Sequence, residues 1–302
     1  MISTEWPALD FDAWEATCDT LHMWTQIVGK TRMVLAPPMN QWWHVTLYVT
    51  PRGLTTSAIP YGPRTFEVAF DLMAHLVRIT VSDGQESAIP LYPRAVADFY
   101  GEYMSCLRSL GIEVKIPLQP EEFDDTTPHD QDHHHASYDK ESVERFRRAL
   151  ISVDRTFKEF RARFQGKSSP VQFFWGSFDL AVSRFCGKPA PPRPGADHMN
   201  AIAYSHETIS CGWWPGDRRY RRAAFYAYAV PQPEGLEKQP HWNAQLGEFI
   251  LNYGEVLSAD SPHDAVLDFC EKTYGAAANL RGWDRTALEF STRPQADAGA
   301  RG

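Results

Sequence analysis

Between Trp43 and Pro90 the chain runs in short alternating stretches separated by turns too brief for anything but hairpins. In QWWHVTLYVT, Trp43, Val45, Leu47 and Val49 alternate with His44, Thr46, Tyr48 and Thr50, the period of a half-buried strand. Pro51-Arg52-Gly53 turns the chain, proline presetting φ and glycine free to go left-handed. GLTTSAIP, TFEVAFD, LVRITV and QESAIP follow at the same short spacing. A parallel neighbour needs a long crossover, so this stretch predicts an antiparallel meander of about five strands.

Helical periods flank the meander. Trp14, Cys18, Leu21 and Trp24 predict an amphipathic helix over 11–28. Val96, Phe99, Tyr103, Leu107 and Leu110 make a second stripe over 93–110, with Gly111 where a C-terminal cap is wanted. IEVKI reads as one more strand. Val143, Phe146, Leu150, Val153, Phe157, Phe160 and Phe164 predict a long core-facing helix that Asp139 can cap. Beyond it, PVQFFWGSFDLAVSRFCG reads as a short strand and a short helix, and KPAPPRPGAD as a stiff loop. YSHETISCGWW and AAFYAYAV read as strands, and a last helix starts at Ser261-Pro262. The fold class predicted is α+β, an antiparallel β-meander with segregated helices in two closely packed halves. The divisions are 1–116, an acidic His-rich connector 117–139, 140–290, and a disordered tail 291–302.

Composition narrows the function classes. The 302 residues are 43% hydrophobic and 13% aromatic, enough for one large domain or two intimately packed ones. A formal charge of -8 gives no electrostatic footprint for nucleic acid. The N-terminus lacks the basic and apolar regions of a signal peptide, and no apolar run approaches the roughly 18 residues of a membrane span. Five scattered cysteines without a CxxC spacing fit a reducing cytoplasm. The expected partner is therefore a small-molecule ligand, with neither nucleic acid nor membrane.

No GxSxG, Walker A, Rossmann or HExxH motif is present, so the chemistry rests on weaker constellations. HDQDHHHASYD (129–139) holds metal-ligating residue types, but a solvated acidic loop supplies little to orient them. His206 beside Glu207 suggests acid–base work, although neighbours on a strand point to opposite faces. His44 shares the polar strand face with Trp42, either a pocket wall or the wetter side of a covered sheet. Lys30, Arg32 and Lys167 offer anion contacts, or simply complement helix C-termini. Trp214, in the GWWPG turn, and Tyr226 are aromatic candidates for ligand binding.

Taken together, LHMWTQIVGKTR, LAPPMNQWWHVTLYVTPRGLTTSAIPYG, HASYD, FKEFRARFQGKSSPVQFFWGSFDLAVSRFCGKPAPPRPGAD, YSHETIS, FYAYAVPQPEG and LGEFILNY resemble DUF5996, a bacterial family of unknown function. The resemblance runs from about residue 10 to about residue 290. It implies no reaction, cofactor or fold. It does sort residues: His22, His44, His135, His206, Glu207 and Asp179 match the family pattern, whereas His129, His133 and His134 depart from it. Val230 and Asn252 stand where tyrosine and proline are expected.

These readings converge on a cytoplasmic enzyme acting on a small polar or anionic molecule in an aromatic, His-lined pocket. His206, Glu207 and His44 are the catalytic candidates. Lys30, Arg32, Trp42, Trp214, Tyr226 and Lys167 are the ligand contacts. A divalent metal version uses His22, His135 and Asp179. The alternative is a non-catalytic module that binds a metabolite or a protein.

Overall fold

The computed structural model describes residues 5–290, so the tail expected at 291–302 lies outside the described residues. Helix α1 (Phe11–Leu35) is capped by Asp10, whose carboxylate accepts from the Asp12 amide. Six strands follow: β1 (Tyr48–Thr50), β2 (Gly53–Thr55), β3 (Ile59–Tyr61), β4 (Arg64–Asp71), β5 (Leu76–Val81) and β6 (Glu86–Pro90). They pair antiparallel in the order β1-β2-β4-β5-β6, with β3 also on β4. Alternation puts Phe66, Val68, Phe70, Val77 and Ile79 on the covered face, where they join the stripe of α2 (Val96–Ser109) in one apolar cluster. The fold is α+β.

The second half repeats the scheme with different order. Helix α3 (Lys140–Ala162) is capped by Asp139, whose carboxylate accepts from the Ser142 amide. Strands β7 (Gln172–Phe174), β8 (Asp179–Pro189), β9 (His206–Trp214), β10 (Ala224–Val230), β11 (Trp242–Asn243) and β12 (Glu248–Asn252) form an antiparallel sheet ordered β11-β12-β10-β9-β8-β7. The short helix α4 (His198–Ala203) lies between β8 and β9, the short helices α5 (Tyr253–Leu257) and α7 (Arg285–Leu288) follow the last strand, and α6 (Pro262–Leu280) packs with α3 on one sheet face. Leu180, Val182, Ile209, Cys211, Trp213 and Phe225 point to those helices.

Three local expectations fail. The strand expected from Gln41 begins only at Tyr48, because Asn40–Val45 makes a 3-10 turn with Gln41 and Trp42 in left-handed backbone at φ 51° and 64°. IEVKI is irregular: Ile112 and Ile116 are buried, but the segment pairs with no strand. The helix expected after QFF is β8, whose alternating Leu180, Val182 and Arg184 face the helices while Asp179, Ala181 and Ser183 face away.

The connector is irregular and exposed over much of its length, yet its backbone is docked on α1. Sixteen consecutive α1 residues, 17–32, are buried, polar ones included. The connector backbone lies along their polar stripe and supplies partners to four of them. The Gln26 amide both accepts from the Glu121 N–H and donates to its carbonyl, each at 2.8 Å. Thr17 and Thr20 accept from the Asp139 and Ser137 amides at 3.0 and 3.1 Å, and Lys30 donates to the Gln119 carbonyl. Strand-like pairing is thus replaced by side chains of a helix, which satisfies both polar partners.

One core joins the halves. Phe146 of α3 meets Trp14 of α1 at 5.3 Å, stacks on Phe178 at 5.2 Å and reaches Trp213 of β9 at 6.1 Å. The two sheets also touch edge to edge, where Leu47 and Phe173 exchange backbone hydrogen bonds of 2.8 and 2.9 Å.

Candidate functional site

The face of the second sheet turned away from α3 and α6 forms the floor of a cleft of about 930 Å³. Strand register decides what lies on that floor. Asp179, Ala181 and Ser183 of β8 stand beside Trp214, Gly212 and Ser210 of β9, and then Tyr226 and Tyr228 of β10. Glu248 of β12 completes the row at the far side. The walls come from Trp42 and Trp43 of the 3-10 turn, from Glu122 in the connector, from Trp175, and from α4 with Tyr204.

Two glycines make this geometry available. A Cβ on Gly212 would fall 2.1 Å from the Tyr226 ring, so only glycine lets that ring lie flat across β9. The ring thereby spans β9, and its hydroxyl donates to the Asp179 carboxylate. A Cβ on Gly29 would fall 2.2 Å from Trp175, which seats flat on α1 and donates its Nε1–H to the Val45 carbonyl at 2.7 Å.

The floor is a hydrogen-bonded row. Ser177 donates to Asp179 at 2.5 Å, the Ser183 and Ser210 hydroxyls lie 2.7 Å apart, and those of Tyr204 and Tyr228 lie 3.0 Å apart. Tyr226 and Tyr228 stack nearly parallel, 8° between planes. Burial lifts the Asp179 carboxyl to about 6, against the pull of the Ser177 and Tyr226 hydroxyls. Burial and then the charge of Asp179 lift Glu248 to about 7. Glu122 moves up by burial and by Asp179 and Glu121; its side chain is open to the cleft, where solvent screens that repulsion. Neither Glu122 nor Glu248 has a side-chain hydrogen bond or ion pair among the described residues. No lysine, arginine or histidine lines the cleft among the described residues.

Of the residues singled out in the sequence, four meet here: Trp42, Trp214, Tyr226 and Asp179. Lys167 reaches the rim, where its ammonium donates to Gln41 Oε1 at 2.6 Å and lies over the Trp43 and Phe185 rings. The histidines sit elsewhere. His44 is buried under Trp42, edge-on at 4.8 Å, its Nδ1 accepting from the Met39 amide. His206, at the start of β9, lies 3.1 Å from Ser205 Oγ. Glu207 turns to the opposite face, where it accepts from Arg281 and from Trp283 Nε1 at 3.0 Å. Lys30 and Arg32 are buried and bind carbonyl oxygens: Lys30 that of Gln119, Arg32 those of His44 and Thr56.

The residues expected to share a metal each have other partners. His22 donates Nε2–H to the Trp175 and Gly176 carbonyls, both at 2.9 Å, and burial drops its pKa to about 4. His135 pairs through Nδ1 with Asp132 at 2.8 Å, which raises its pKa. Asp179 is held by Ser177 and Tyr226. Among the described residues no group of three or more His, Cys, Asp or Glu is placed to hold a metal ion.

Glu248, Tyr228, Ser183, Ser210 and Glu122 were not singled out from the sequence. The signal for the first four is the period of two in DLAVS, TIS, YAY and GEF, which shows its chemistry only once the strand register is known.

A family model described as a family of unknown function, DUF5996, matches residues 6–290. No curated protein and no solved structure matches the chain.

Proposed function

The chain belongs to the DUF5996 family, a family of unknown function, and from its geometry we propose that it is an enzyme performing proton-transfer chemistry on a small polar molecule held in the acidic, aromatic cleft. One observation carries this reading: Asp179 and Glu248 share a concave sheet face, and both carboxyls are pushed close to neutrality. Carboxyls so poised can hold or release a proton at physiological pH. Tyr226 and Ser177 orient Asp179, and Glu248 is free to meet a ligand. Backbone strain points to the same place. Of the seven non-glycine residues in left-handed backbone among the described residues, Gln41, Trp42 and Glu122 line the cleft. Such conformations cost on the order of 1–3 kcal/mol each and persist where the surroundings enforce them.

His206 and His44 then act as positioning groups, whereas Glu207, held by Arg281 and Trp283 on the opposite face, takes no part. His206 meets Ser205, which accepts from Gln41, and His44 supports Trp42 from beneath. Anion binding by Lys30 and Arg32 finds no support in their buried carbonyl contacts. A reducing, cytoplasmic setting is consistent with five unpaired thiols. No described helix is long and apolar enough to cross a membrane.

The test incubates wild type and Asp179→Asn with a mixed small-metabolite extract and follows each component by mass spectrometry. Consumption by wild type alone supports the enzyme. Saturable binding to both without consumption by either would establish the non-catalytic metabolite-binding module instead.

A further inference from the structure

The cleft's lining also bears on which ligand it takes, an inference that rests on the cleft being the ligand site. We propose that the ligand is an amine-bearing cation whose ammonium group sits among Asp179, Glu248 and Glu122, against the faces of Trp42, Trp214 and the Tyr226–Tyr228 pair.

Charge makes the first part of the argument. Six carboxylates line the cleft: Glu121, Glu122, Asp179, Asp197, Asp217 and Glu248. Three of them are occupied. Glu121 lies 3.5 Å from the Lys30 ammonium, Asp197 caps α4, and Asp217 accepts from the Arg219 and Tyr220 amides. Asp179 accepts from two hydroxyls and its own amide but from no cation, and the side chains of Glu122 and Glu248 have no partner among the described residues. Burial and then the charge of the buried Asp179 raise the carboxyls of both glutamates, and a cation bound among the three relieves that repulsion.

The aromatic walls make the second part, independently of charge. Trp42, Trp214, Tyr226 and Tyr228 all line the cleft, and aromatic faces attract ammonium groups through their quadrupole. A bare metal ion needs several ligands converging within about 2–2.6 Å. The carboxylates here do not converge in that way.

Shape makes the third. A second cavity of about 420 Å³ shares Tyr204, Tyr228 and Glu248 with the first, and Arg193, its guanidinium over the Tyr204 ring, lines its other side. Glu248 therefore stands in a wall common to both, within reach of an extended ligand. An alkyl amine with a second polar end fits this better than a compact ion.

The probe is diaminobutane, titrated calorimetrically at about pH 8, where both raised carboxyls are ionised. Butanediol, succinate and magnesium are the comparators. The expected result is saturable diamine binding that weakens about tenfold or more in Glu248→Gln and again when Glu122→Gln is added. It should fade as pH falls through about 7 and then about 6, while the diol and succinate stay silent. Both glutamates are at least partly exposed, so these variants keep the fold, which circular dichroism checks. Binding of the diol, succinate or magnesium in place of the diamine, lost in Trp42→Ala, overturns the amine class and keeps the site. Diamine binding insensitive to Glu248→Gln, Glu122→Gln and Trp42→Ala overturns both.

Discussion

At the scale of single residues, Asp179 is the group whose surroundings are most at odds with its charge. Its carboxyl titrates near 6 in the fold and near 3.8 when unfolded. Between those values the folded chain holds a proton that the unfolded chain has released. Its contribution to stability is therefore greatest at low pH and falls as pH rises through that window. The fall is on the order of 3 kcal/mol for a shift of this size. Glu248 acts in the same direction between 4.5 and about 7. Urea midpoints at about pH 5 and pH 7.5 should therefore show Asp179→Asn losing less stability than wild type over this range. Equal losses in the two proteins would remove the argument. Gly212→Ala tests the same row from the neighbouring strand. Its methyl would displace the Tyr226 ring, breaking the bond to Asp179 and costing about 1–3 kcal/mol by overpacking. The Asp179 pKa, followed by carboxyl NMR, should then rise, because a hydroxyl that favours the ionised form has been withdrawn.

At the scale of elements, the pairing of α1 with the connector is the least expected feature. A helix buried over sixteen consecutive residues is ordinarily apolar all round, yet this one carries Thr17, Thr20, His22, Gln26 and Lys30. His22 binds the Trp175 and Gly176 carbonyls, and the other four bind backbone groups of the connector, which explains how an acidic, aliphatic-poor segment is held. Gln26→Ala would leave the Glu121 N–H and carbonyl without partners. The expected cost is about 1–3 kcal/mol for each buried group left unpaired. Limited proteolysis should then cut faster between residues 117 and 128 than in wild type. Unchanged cutting there, with stability lost globally, would show that the side-chain ladder does not hold the segment. The helices α2, α3 and α6 and the meander strands were legible in their periods. Strand β8 was not, because a run of five to eight apolar and polar residues fits a short helix as well as a strand until its neighbours are known.

At the scale of the whole molecule, Phe146 ties α1, α3 and the second sheet into one apolar cluster that also reaches the first sheet. Two halves sharing a core should unfold together. Tryptophan fluorescence and far-UV circular dichroism should trace a single coincident transition. Phe146→Ala should shift that transition as a unit by about 3–5 kcal/mol. Two separated transitions would mean that the halves are independent despite the shared cluster.

The sequence by itself determined the α+β class, the caps at Asp139 and Ser261, and the aromatic character of the site, since these follow from local period and chemistry. Trp42, Trp214, Tyr226 and Asp179 were all visible as candidates, but so were four histidines that the fold uses as braces. Only the tertiary structure places the first four in the cleft and the histidines outside it. A residue's chemistry depends on which strand lies beside it and which face it shares. Register across β8, β9, β10 and β12 lines up residues 183, 210, 228 and 248 and puts Asp179 on the same face four residues along β8, a relation that no local spacing encodes.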